Sequence, residues 1–249
     1  MLQRGILTVL AITLPLSAAA QDDANGVTFR FGLGPSVAPG YFGSDEYAPG
    51  VGAKFELERL RLGSLSQGGS EDYGLGVKGS VRFVGARSAD DFDELTGLED
   101  IDASLEIGGG LEFTTPDYDV FAVLRYGVVG HESFVAEFGS DVYFRPTRQL
   151  TLKAGPRLLV GDDDYAQTYF GVSDSEAGVS AFDAYPAQGG IMSAGAQAEA
   201  TYAINDDWEV VGRLSYWQLR EDAANSPISQ SDDQISGSIV LTRRITFGF

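Results

Sequence analysis

Ile101-Asp102-Ala103-Ser104-Leu105-Glu106-Ile107-Gly108-Gly109-Gly110-Leu111-Glu112-Phe113 decides the fold. Apolar residues and Gly109 fill its odd positions, while Asp, Ser, Glu and Gly fill the even ones. Side chains alternate between faces with this period only in a β-strand, so the stretch predicts a strand with one apolar and one polar face.

The pattern extends outward in both directions. From Val27 the odd positions are Val27, Phe29, Phe31, Leu33, Pro35 and Val37, separated by Thr28, Arg30, Gly32, Gly34 and Ser36. Similar dyads run over 51–57, 73–83, 120–128, 134–144, 150–160, 192–202, 208–216 and 235–249, with a shorter one near 60–66. The polar face mixes Gly and Ser with full charges. Its bases are Arg30, Lys54, Lys78, Arg82, Arg125, Lys153, Arg157, Arg213 and Arg244, nine in all. Its acids are Glu56, Asp102, Glu106, Glu112, Glu137, Asp141, Glu199 and Glu209, eight in all, a near balance suited to charges paired across a narrow lumen. Aromatics stand near strand ends on the apolar face: Tyr73, Phe83, Phe134, Phe144, Trp208, Tyr216, Phe247 and Phe249. Such girdles mark outer-membrane barrels. The 32 glycines in 249 residues exceed the usual ~7%, and tightly curved strands account for them.

Residues 1–20 carry Arg4, an apolar run from Ile6 to Leu16, and Ala18 and Ala20 in an Ala-x-Ala pattern. They predict a secretory signal peptide, cleaved after Ala20. The remainder, 21–249, reads as one domain: an antiparallel, all-β transmembrane barrel of the outer membrane. Twelve strands are expected and ten are the alternative, because the apolar phase flips between Leu57 and Leu60. The final strand has an apolar face of Ile239, Leu241, Ile245, Phe247 and Phe249, broken by Arg243, and ends in Phe. That resembles the signal by which barrel-assembly machinery recognises its clients.

Short links at 114–119, 145–149 and 205–207 predict periplasmic turns, and long ones at 39–49, 85–100, 161–187 and 220–233 predict extracellular loops. The formal charge of −19 and the absence of cysteine exclude phosphate-backbone binding, disulfides and thiolate chemistry. Eighteen acids fall in the long loops against Arg87 and Arg220, so the acidity reads as an outward-facing crown. The one histidine, His131, sits in the Gly130-His131-Glu132 link and reads as a solvated loop residue rather than a catalytic base. Asp162-Asp163-Asp164 lacks calcium-loop spacing and reads as a solvated acidic loop. Gly108-Gly109-Gly110 has no following Lys-Ser/Thr and is no phosphate loop. Neither cofactor nor metal is expected.

The least generic sequence lies in the last two long loops. One contains Tyr165, then Tyr169-Phe170-Gly171-Val172-Ser173 and the Gly189-Gly190 pair; the other contains Asp222-Ala223-Ala224 and Ser226-Pro227. These segments, with Pro39-x-Tyr41-x-Gly43-Ser44 and Leu95-x-Gly97-Leu98, resemble the MltA-interacting protein (MipA/OmpV) family of Gram-negative outer membranes. The resemblance implies a non-enzymatic outer-membrane barrel surrounded by lipid and lipopolysaccharide. It further implies a scaffold that brings together a lytic transglycosylase and a penicillin-binding protein. Tyr169, Phe170, Gly171, Ser173, Asp222, Ser226 and Pro227 are the candidate loop motif, read foremost as packing over the barrel mouth. A narrow channel for small polar solutes is the alternative function.

Overall fold

A computed structural model describes residues 25–62, 65–67 and 73–249. The signal peptide expected over 1–20 lies outside them. Among the described residues eleven strands form one antiparallel sheet: β1 (Gly26–Pro39), β2 (Tyr47–Leu62), β3 (Leu65–Gln67), β4 (Gly74–Val84), β5 (Ser104–Thr114), β6 (Tyr118–Val129), β7 (Phe134–Phe144), β8 (Leu150–Gly161), β9 (Gly190–Ala203), β10 (Trp208–Leu219) and β11 (Asp233–Gly248). Their hydrogen-bonded order is β3-β2-β1-β11-β10-β9-β8-β7-β6-β5-β4, so β1 pairs with β11 and brings both ends of the barrel sequence together. β2 and β4 lie side by side and nearly close the ring.

Ten of these strands are long and β3 has three residues, which corrects the twelve-strand expectation among the described residues. The cause is local. Thr28 faces Arg59 while Phe29 faces Leu57, leaving Glu58 as the extra residue of a β-bulge. A bulge inserts one residue and reverses the phase of all that follow. The flip between Leu57 and Leu60 is therefore one irregular strand, and its by-product is a carboxylate turned inward, 2.5 Å from Arg30.

Alternation sorts the faces. In β6, Asp119, Phe121, Val123, Arg125 and Gly127 are buried, while Tyr118, Val120, Leu124, Tyr126 and Val128 are exposed to the membrane side. The outward surface carries Phe83, Phe134, Phe144, Tyr216 and Phe247, all exposed. Glycine allows the strands to approach. A Cβ on Gly108 would stand 1.9 Å from the carbonyl oxygen of Leu124, and one on Gly110 equally close to that of Ala122. Substituting valine at both sites overpacks the β5–β6 seam by about 1–3 kcal/mol per site. The double variant is expected to lose most of the folded, fast-migrating band on unheated gels, which reports barrel closure.

Candidate functional site

The inside of the barrel holds a chain of ion pairs. Glu106 on β5 is fully buried and accepts from Arg82 at 2.6 Å and Arg125 at 2.9 Å. Arg125 also reaches Glu137 at 2.9 Å, Glu137 lies 3.8 Å from Arg157, and Arg157 grips both oxygens of Asp141 at 2.8 Å. Lys153 stands 3.7 Å from Asp141 and 3.6 Å from Glu199. Glu199 collects two further cations, Lys54 at 2.7 Å and Arg213 at 2.9 Å, and Lys54 continues to Glu56 at 3.2 Å. Lys78 pairs with Glu112 at 2.8 Å. At the short-turn end Arg30 joins Glu58 and Glu209, and its guanidinium donates to the carbonyls of Asp206 and Asp207. Each charge of this chain of ion pairs has a counter-charge, the condition under which a narrow polar interior is stable.

Of the residues assigned to the lumen from sequence, Asp102 stands apart. It precedes the first residue of β5 and is exposed, because the ladder of that strand begins at Ser104. Sequence reading also missed two acids that lie inside. Glu58 enters through the bulge, and Asp119 is buried beside the Tyr143 hydroxyl that donates to it.

At the long-loop end the connections fold over the mouth as a cap. It contains α1 (Asp163–Phe170), α2 (Asp174–Ala177) and α3 (Glu221–Asn225). Tyr165, Tyr169, Phe170, Ala223, Met192 and Leu219 share one buried cluster with Val135 and Leu159 of the barrel wall. A second cluster joins Tyr41, Leu95, Leu98, Val172 and Ile228. The loop-motif residues meet here. Ser226 donates to the carbonyl of Phe170 at 2.6 Å, Tyr185 donates to that of Asp222 at 3.1 Å, and Ser173 caps α2 with Glu176 in a reciprocal capping box. Gly171 follows α1 where a Cβ would strike the Gln167 side chain, and Pro227 sits between the buried Ser226 and Ile228.

Tethers run from cap to lumen. Arg82 donates to the Tyr165 hydroxyl at 2.8 Å, and the Tyr169 hydroxyl meets Ser104 at 3.0 Å. Burial lifts both phenols above their ordinary range, so they stay protonated at neutral pH. His131 corrects its solvated reading: its side chain is fully buried, edge-on to Tyr165 and Tyr169. Gly130 and Glu132 adopt positive φ, 89° and 48°, and turn the ring inward over Gly127. There Nδ1 lies 2.6 Å from Ser133 Oγ and Nε2 lies 3.3 Å from Glu106.

This Ser-His-Glu contact is built for packing. Nδ1 also accepts from the Ser133 backbone N–H, a bond between near neighbours in a turn. Glu106 is held by two guanidiniums, and Ser133 is only 1% exposed. Nor is the acidic loop merely solvated. Asp162 accepts from the backbone N–H groups of Tyr165 and Phe134, Asp163 from Gly189, Asp222 from Gln188, Glu221 from Ile191 and Asp100 from Ala89. Among the described residues no group of three or more His, Asp or Glu is arranged to hold a metal ion.

A model of the family described as MltA-interacting protein MipA matches residues 31–245. The chain belongs to the MipA family. It is 29% identical over 201 residues to the outer membrane protein Omp26La of Vibrio anguillarum, spanning 78% of this chain and 72% of that protein. Outer membrane protein OmpV of Vibrio cholerae is 27% identical over 219 residues, 86% of this chain and 76% of that one. Solved structures that align include the NanC porin, with 8% identity, TM-score 0.36, and coverage of 88% of this chain and all of that one. The translocator domain of the autotransporter NalP from Neisseria meningitidis gives 11% identity and TM-score 0.39, covering 90% of each chain. Likeness at that level assigns no activity. With these relatives and this architecture, the MipA-family chain is an integral outer-membrane β-barrel.

Two outcomes test the cap and its anchor. Glu106→Gln leaves Arg82 and Arg125 short of a counter-charge and is expected to cost about 3–5 kcal/mol, whereas Tyr165→Phe, removing one hydrogen bond to Arg82, costs about 1–2 kcal/mol. Denaturant unfolding in detergent micelles measures both. The Glu176 carboxyl is held below its ordinary range. Partial burial opposes ionisation, but N–H groups of Glu99 and Ser173 and the Ser173 hydroxyl outweigh it. Its contribution is complete above the ordinary glutamate pKa of about 4.3 and is lost as pH falls through the lower folded value. Proteolysis of loop 85–103 is therefore expected to accelerate on acidification below that point, and Glu176→Gln to make cleavage fast already at neutral pH.

Proposed function

We propose that this MipA-family barrel acts by contact: a closed, non-enzymatic scaffold or interaction protein whose partners are murein-processing enzymes. One observation carries the closed state. The capped mouth and the ion-pair chain beneath it are continuous through Arg82, which touches Tyr165 of the cap and Glu106 of the lumen. The inward charges, Arg30, Lys78, Arg82, Glu106, Glu112, Arg125, Glu137, Lys153, Arg157, Glu199 and Arg213, act in this reading as internal braces. Support for the partner class comes from the family's own description, MltA-interacting protein, which names MltA as the protein contacted. Residues 1–20 direct export and 21–249 form the mature barrel, with its aromatic bands against lipid and lipopolysaccharide.

A narrow channel for small polar solutes is the second reading. Glu56 favours it: although its neighbours on β2 alternate into the lumen, half of its side-chain surface is accessible to water. Affinity capture from detergent-solubilised outer membranes is expected to recover lytic transglycosylase and penicillin-binding protein. Repeated recovery of neither would reject the scaffold. Planar-bilayer recording of the folded protein is expected to stay at baseline, and reproducible conductance steps would establish the channel instead.

A further inference from the structure

His131 is the one histidine of the chain, and its buried hydrogen bonds fix how the neutral ring must sit. Nδ1 accepts from the backbone N–H of Ser133 at 3.2 Å, so that nitrogen carries no proton. The Ser133 hydroxyl, 2.6 Å away, donates to the same atom. The ring proton is therefore on Nε2, directed at Glu106 Oε1 at 3.3 Å. Several elements pack around this ring. Glu106 on β5 touches it, and the same carboxylate already holds Arg82 of β4 at 2.6 Å and Arg125 of β6 at 2.9 Å. Tyr165 and Tyr169 of α1 rest on it with ring centroids 5.2 and 5.6 Å away. Burial keeps both phenols protonated, so neither brings a charge. Glu132, next in the turn, is exposed.

A second proton on this ring breaks the arrangement at two points. Nδ1 changes from acceptor to donor and turns its hydrogen toward the Ser133 N–H, whose acceptor it was. Ser133 is 1% exposed, so that N–H loses its partner where water does not replace it. The ring also becomes a third cation on one carboxylate, beside two guanidiniums in a poorly hydrated space. Its seat is the bare backbone of Gly127, where a Cβ would lie 2.5 Å from the imidazole Cε1. A ring that leaves this seat removes the floor under Tyr165 and Tyr169. Those two residues tether α1 to the barrel, through Arg82 and Ser104. We propose that His131 is a proton-operated latch. Neutral, it holds α1 over the barrel mouth; protonated, it swings out and releases the cap, exposing the loop end of the lumen to the medium. The latch rests on the closed state proposed above and adds to it the condition under which closure ends.

The single histidine and the absence of cysteine make the test specific. Ala166 on α1 is 1% exposed, so Ala166→Cys places a thiol beneath the cap. Its reaction with dithiodipyridine, a reagent active in mild acid, is followed in nanodiscs with untagged protein and normalised to the denatured chain at each pH. Between about pH 8 and about pH 5, the interval in which histidine changes charge, labelling is expected to accelerate roughly tenfold or more. Nitrogen NMR of the histidine-labelled protein is expected to show the Nε2–H tautomer at the upper end, and its protonation midpoint should match that of labelling. His131→Gln should keep the thiol protected throughout. The Glu176 contribution stays in place here, since it is lost only below about pH 4.3. Equal protection at both ends of the interval, midpoints more than about one pH unit apart, or an acid response that survives His131→Gln overturns the latch. The midpoint comparison uses only histidine-containing protein, so it decides the matter even where His131→Gln loosens the cap. Free labelling already at about pH 8 rejects closure and latch together, whereas protection that persists in acid rejects the latch and leaves the closed scaffold standing.

Discussion

Glu106 draws together parts of the molecule that share no sequence neighbourhood. Its carboxylate meets guanidiniums from β4 and β6 and the imidazole of the β6–β7 turn, and Arg82 carries the contact on to a tyrosine of α1. Wall strands, turn and cap are thus coupled through one buried anion. Neutralising one member alone exposes the rest of the chain to unpaired charge in a poorly hydrated space. This asymmetry makes such networks costly to alter singly even where their net contribution to stability is small. The same constraint explains the inward balance of charge: a lumen this crowded with side chains tolerates cations only as fast as it supplies anions.

The loops solve a different problem with the same residue type. Outside the sheet, backbone N–H groups lose their ladder partners and must find acceptors elsewhere. Asp162, Asp163, Asp222 and Glu221 supply them, tying α1 to the start of β7 and to the Gly189-Gly190 turn, and α3 to Gln188 and to β9. Much of the excess negative charge of this MipA-family chain is therefore engaged in holding the cap together. It is a crown by location and a set of clasps by bonding.

The strands were legible because alternation is a local property: each inward residue announces its face by its immediate neighbours. Phase was not legible at Glu58, where one inserted residue and a missed strand leave the same trace in sequence. Asp102 failed for a related reason, since periodicity runs on past the point where the ladder with β4 stops at Ser104. His131 was misread because Gly and Glu beside it suggest water. Its burial depends on two positive-φ residues and on space above Gly127, and only the glycine at an inward strand position hinted at it. The cap as a whole lay beyond sequence reading. Its contacts join segments separated by up to 191 residues, as between Gly43 and Gln234, and no periodicity records such pairs.

β1 and β11 pair from Gly26–Gly248 to Val37–Gly237, so the first described strand finds its partner only in the last. Until the two meet, one edge of β1 stays open. Contacts this distant in sequence make closure slow, and a waiting apolar edge is prone to pair with the wrong chain. The order of strands thus sets a demand on folding rather than on the membrane: a chain whose last strand is not yet in place has to be kept apart from its siblings.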